Sequence, residues 1–224
     1  LRPLRDRAGA GDILLFQCRA DASDRFRLIL IRQGTPEFGE IARLAGARRW
    51  GALYAANPPV TQAQLSRARD ELAELAQQPF ALHRPGIPRV ETRQNRIARD
   101  TAFRVMVRWQ YARRCAISGI GVATPSRECE VESAHVVPLE EGGTDDIRNG
   151  LALAQTVHWA FDRGLLGVLP NRTVYVPRAV RRMPENAFLL QFEQRPLAEA
   201  RDAHLKVHPD ALAWHFENRV RRWD

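Results

Sequence analysis

Cysteine, lysine and long apolar runs are all scarce in this chain. The three cysteines, Cys18, Cys115 and Cys129, include no CxxC pair and are too few for a disulfide framework, so reduced thiols are the simplest reading. No apolar run reaches the roughly 18 residues of a membrane span. The first residues, Leu1, Arg2, Pro3, Leu4 and Arg5, adjoin no apolar signal core. Membrane insertion and secretion therefore lack support, and a soluble, cytoplasmic protein is expected. Internal repeats and low-complexity tracts are absent as well. Lys206 is the single lysine, so the excess of 34 Lys and Arg over 26 Asp and Glu, a net charge of +8, rests almost wholly on arginine. Such a surplus suits a polyanionic partner, because cations that neutralise phosphates release condensed counterions. Codon usage also produces an arginine bias, so charge alone does not decide the partner.

What is present falls into two parts. Residues 12–18 and 25–32 are short apolar runs around an Asp/Ser-containing turn, which predicts a β-hairpin. Thr35-Pro36-Glu37 then supplies a cap, a first-turn proline and an acidic residue for a short helix to about Ala45. From Thr61, Leu65, Ala68, Leu72 and Leu75 recur at helical spacing. Residues 1–78 thus read as a small α/β domain, and Pro79 to Pro88, with Pro85 and Gly86 between, reads as a linker over 79–91. Thr92 to Arg114 has helical periodicity through Ile97, Phe103, Met106, Val107 and Tyr111, and is strongly basic. Within it and at its end, Arg104, Arg108, Arg113 and Arg114 are the candidate phosphate contacts. Trp50, Tyr54, Trp109 and Trp159 could stack on bases, but core packing is the default for each. His204, His208 and His215, in or near a final capping helix, read as structural or surface groups.

Chemistry concentrates between Cys115 and Val168. His135 ends an apolar strand, a polar loop follows, and Leu151 to Asp162 reads as helix, with Asn149 before it. His158 and Asp162 are one helical turn apart, on one face, and so are plausible ligands of a single metal. A neutral imidazole at His135 could take a proton from water while an imidazole and carboxylate pair holds a cation against a phosphate. The amide of Asn149 could fix the loop between them. In isolation His135 reads as an ordinary core histidine, and Asp162 as a helix stop or a partner of Arg163. The combination, with Phe161-Asp162-Arg163-Gly164 closing it, favours the catalytic reading.

Cys115-Ala-Ile-Ser-Gly119, Glu132-Ser-Ala-His-Val-Val-Pro138, Asn149-Gly-Leu151 and His158-Trp-Ala-Phe-Asp-Arg-Gly164 together resemble the HNH (ββα-metal) endonuclease family. The likeness runs from about Arg93 to Val168, and the stretch from His208 to His215 is similar to an ending common in one branch. It implies His135 as general base, Asn149 as the residue ordering the loop and His158 as metal ligand. A divalent ion, Mg²⁺ or Mn²⁺, and double-stranded DNA as substrate are implied too, with 5′-phosphate and 3′-hydroxyl ends. Many relatives carry Asp or His just before the base, where this chain has Ala134, so Glu132 or water would fill that coordination position. Strand alternation sets Glu132 on the face opposite His135 unless a bulge intervenes. Zinc-stapled relatives have paired cysteines where this chain has Ser118, so no structural zinc is expected, and Cys115 and Cys129 read as buried thiols.

The fold expected is therefore α+β: an N-terminal α/β module over 1–78 that targets DNA, a linker over 79–91, and a nuclease domain over 92–224. A restriction or defence nuclease acting on foreign or modified DNA is the leading expectation. A nicking or homing nuclease of a mobile element, and a catalytically silent DNA-binding protein, are the alternatives. Cutting both strands with one site per chain would favour a homodimer.

Overall fold

The computed structural model describes residues 6–19, 22–45, 60–83 and 93–224. Trp50, Tyr54 and most of the expected linker lie outside the described residues. The chain divides into two compact units, residues 1–59 and 60–224. Among the described residues no helix is long and apolar enough to cross a membrane.

The first unit contains the expected hairpin. Strands β1 (Ile13–Arg19) and β2 (Ala22–Ile31) pair antiparallel, from Ile13 opposite Ile31 to Cys18 opposite Phe26, with an irregularity between Cys18 and Arg19. Helix α1 (Pro36–Ala45) starts on the first-turn proline and Glu37, as its sequence predicts.

The boundary between units falls earlier than the proline-rich stretch suggested. Helix α2 (Gln62–Leu75) begins on a capping box, in which Thr61 accepts from Gln64 N and Gln64 accepts from Thr61 N. Its Ala68 and Leu72 are buried, and it packs on α3 (Arg93–Gln110), which joins it to the second unit. Phe80 and Leu82, inside the expected linker, pack against the same core. The stretch after Pro79 is docked, because its apolar side chains find a surface to bury on.

Helix α3 is the spine of the second unit. Ala98, Ala102, Phe103 and Val107 form its buried stripe, while Ile97 is exposed. It ends at Gln110, and Ala112 and Arg113 take positive φ of 54° and 58° to reverse the chain. Strands β3 (Glu132–His135) and β4 (Gly150–Leu153) pair antiparallel against it, with His135 opposite Gly150. Leu151 to Leu153 is thus strand where the sequence suggested helix. All four residues of β4 are buried, and an apolar run buried on every side carries no alternation to distinguish the two. Helix α4 (Gln155–Asp162) follows at once, completing a ββα unit.

Two glycines set close approaches. A Cβ on Gly150 would lie 2.5 Å from Val107 Cγ2 and 2.9 Å from Phe103 Cζ, so α3 sits flush on β4 only because that side chain is missing. Gly164, at φ 66°, ends α4, and a Cβ there would meet the Arg219 carbonyl oxygen at 2.1 Å. The C-terminal part adds the strand pair β5 (Gly167–Val168) and β6 (Val174–Tyr175), two short helices α5 (Arg178–Arg181) and α6 (Ala187–Leu190), and helix α7 (Pro209–His215). The expected capping helix is present, with α7 continuing as a π-helical turn over Phe216–Val220.

Candidate active site

The ββα unit brings the expected histidines to one cavity of about 450 Å³, where His135, His158 and Asp162 share the wall with Ser133, Arg104 and Arg219. His135 is delivered by the end of β3 and His158 by the middle of α4. The His135 ring lies flat on Phe103 of α3, with centroids 3.9 Å apart and planes 3° from parallel. Its Nε2 is 3.1 Å from Oδ1 of Asp145, and the other oxygen of that carboxylate is 3.7 Å from Arg99.

Asn149 is fully buried and ties the loop together. Its Oδ1 accepts from Val137 N at 2.9 Å, while its Nδ2 donates to Val137 O at 3.0 Å and to Thr144 O at 2.8 Å. The amide therefore joins the residues after β3 to the far side of the polar loop. Next to it, Asp146 accepts from Arg148 N at 2.9 Å and pairs with the Arg148 guanidinium at 2.7 Å. That guanidinium also donates to Gln78 O at 2.8 Å.

His158 has a carboxylate on each ring nitrogen. Nδ1 lies 2.7 Å from Oε2 of Glu132, and Nε2 lies 3.5 Å from Oδ2 of Asp162. Bonds of about 2.0–2.2 Å to a common ion put neighbouring donors roughly 3–3.5 Å apart, so Nε2 and Asp162 fit one cation. Glu132 sits on the opposite edge of the ring and cannot share that ion with them. Its position is instead that of the acceptor that orients a ligating histidine. Among the described residues, no group of three or more His, Cys, Asp and Glu side chains converges as a full ligand set. Two protein donors suit an ion that keeps several waters and takes further oxygens from a bound phosphate. The Asp162 carboxyl is pushed up from its usual value chiefly by burial; His158 and Arg163 oppose this, and Glu140 and Glu132 add to it.

The four arginines singled out in the sequence have different settings. Arg104 lines the cavity and pairs with Asp100 at 3.0 Å, one turn back on α3. Arg108 and Arg113 border a second recess beside Arg127 and Glu128. Arg114 Nη1 donates to Gly119 O at 3.1 Å, closing the Cys115 to Gly119 knuckle. In that knuckle Cys115 is buried, and its Sγ accepts from Ser118 N at 3.3 Å. Trp109 and Trp159, for which core packing was the default, are 55% and 54% exposed and lie under Arg201 and Arg163 respectively. Three features around these side chains were not singled out from sequence: Asp145 and Phe103, which hold the His135 ring, and Arg219, which lines the cavity and pairs with Glu141. Asp145 lies in a loop rich in acidic residues, and Arg219 lies far along the chain. No local pattern marks either.

A strand pair, a tethered loop and a helix with histidines on strand and helix define an HNH-type ββα module. Residues 115–169 match the family model described as HNH endonuclease. Among solved structures, the "Modification dependent TagI restriction endonuclease" is similar over 50% of this chain and 35% of that one, with 23% identity and a TM-score of 0.40. This chain thus spans about a third of that protein's length. No curated protein matches it.

Proposed function

We propose that the protein is a metal-dependent DNA endonuclease. The observation that carries this reading is the shared cavity: an imidazole held on Phe103, an imidazole and carboxylate pair 3.5 Å apart, and two arginines, Arg104 and Arg219, at one wall. His135 takes a proton from water as that water attacks phosphorus. The new P–O bond forms as the bond to the 3′ oxygen breaks, and the leaving oxygen gains a proton from solvent. Arg104 and Arg219 face the phosphate with positive charge, and Asn149 holds the loop so that base and ligands keep their separation. His158 and Asp162 would hold the divalent ion, Mg²⁺ or Mn²⁺, which supplies charge stabilisation at the phosphate and at the leaving oxygen. Glu132 orients His158 through Nδ1.

The N-terminal unit, separate from the module that matches the family, supports a division in which it selects DNA and the C-terminal unit cuts it. A restriction or defence nuclease acting on foreign or modified DNA is the reading we favour, by analogy of architecture. Supercoiled plasmid incubated with the protein should be nicked or linearised with Mg²⁺ or Mn²⁺, leaving 5′-phosphate ends, and should stay intact in excess chelator. Cleavage that persists in chelator would sink the metal mechanism. Binding without any cleavage under all metals would favour a silent DNA-binding protein.

A further inference from the structure

The geometry points to Asp145 as a positioning residue for His135: its buried carboxylate takes the hydrogen of Nε2 and leaves Nδ1 to act as the base. The inference rests on the nuclease reading for its consequence, though not for its geometry. Asp145 and Asp146 are adjacent and both buried, yet they are committed differently. Asp146 turns to Arg148, and Asn149 clamps Thr144 through its carbonyl. Between these two fixed points Asp145 faces His135, with Arg99 3.7 Å from its second oxygen.

A carboxylate has lone pairs and no hydrogen to give, so the nitrogen beside it must be the one that carries N–H. At 3.1 Å that nitrogen is Nε2. In a neutral ring the lone pair then sits on Nδ1, and Nδ1 becomes the proton acceptor. Phe103 fixes the plane of the ring and Asp145 fixes its rotation about that plane, so the base is held in one tautomer and one orientation. When the ring gains a proton from water, the adjacent negative charge also stabilises the resulting imidazolium. A carboxylate that holds a general-base histidine in its working tautomer is worth up to about 10⁴-fold.

The test begins with the full, unsubstituted chain. Long-range ¹H–¹⁵N spectra, with the His135 signals assigned by their loss in His135→Ala, should report the Nε2–H tautomer when the ring is neutral. An Nδ1–H tautomer or an even mixture would overturn the proposal whatever the enzyme's activity. In Asp145→Asn, the single-turnover cleavage rate should fall about 10²–10⁴-fold with the Kd for DNA unchanged. Combined with His135→Ala, the same substitution should add less than ~2-fold, because it acts only through the ring. An equal loss in both backgrounds would make Asp145 merely structural. Failure of the nuclease reading itself would look different: no cleavage by the unsubstituted chain, with the tautomer still decided by the spectrum. If Asp145→Asn does not fold, that tautomer decides alone.

Discussion

At the scale of single residues, His215 ties the C-terminal helix to the HNH helix. Its ring stacks on Phe161 with centroids 3.7 Å apart, and Nε2 donates to the Phe161 carbonyl at 2.9 Å. Burial pushes its pKa down from 6.5 to about 4, with the hydrogen bond to Phe161 as the smaller, opposing influence. The unfolded chain therefore binds this proton first as pH falls. Stability is complete above about pH 6.5 and is lost progressively between there and about pH 4, by up to ~3 kcal/mol. Urea titrations at pH 7 and pH 4.5 should show that loss, and His215→Gln should show a shallower pH slope. Equal slopes would mean that His215 does not titrate on unfolding. For Glu132→Gln, which retains the shape but weakens the hold on His158 Nδ1, the metal concentration for half-maximal cleavage should rise about 10–100-fold. An unchanged metal titration would return Glu132 to a surface role.

At the scale of elements, the packing of α3 on β4 decides where His135 points. Gly150→Ala would drive a methyl to within 2.5 Å of Val107 Cγ2, and the strand opposite it carries His135. Overpacking of this kind costs about 1–3 kcal/mol. Denaturant unfolding should show that loss, and cleavage should slow beyond it. Wild-type stability in the variant would mean that α3 can move away without penalty. The hairpin, α1, α2 and the ββα order were legible because each has its own period or cap, such as Pro36-Glu37 or Thr61 with Gln64. Strand β4 was not, since Gly150-Leu-Ala-Leu153 is buried throughout and shows no period. The contact of Glu132 with His158, and Asp145 itself, were hidden for another reason. Alternation fixes the side of a strand but not the reach of a long side chain, and one aspartate in a polar loop looks like its neighbour. His135, Asn149 and His158 were visible because their order and spacing form a pattern that no single residue supplies.

At the scale of the whole molecule, a net charge of +8 carried almost wholly by arginine suits a phosphate partner. Arg108→Ala, at the second recess, should weaken DNA binding nearly equally for all sequences and reduce the salt slope by about 1. No change in that slope would remove Arg108 from the contact surface. The unit boundary falls after Pro59, so α2, which packs on α3, belongs to the same unit as residues 115–169. The catalytic expectations depend on His135 acting as the base in the cavity. The most direct measurement is the single-turnover cleavage rate of His135→Ala against the unsubstituted chain, at saturating protein with Mg²⁺ or Mn²⁺, beside Kd for the same DNA. The account predicts a loss of about 10²–10⁴-fold in rate with Kd unchanged. A folded variant that cleaves at the original rate would contradict it.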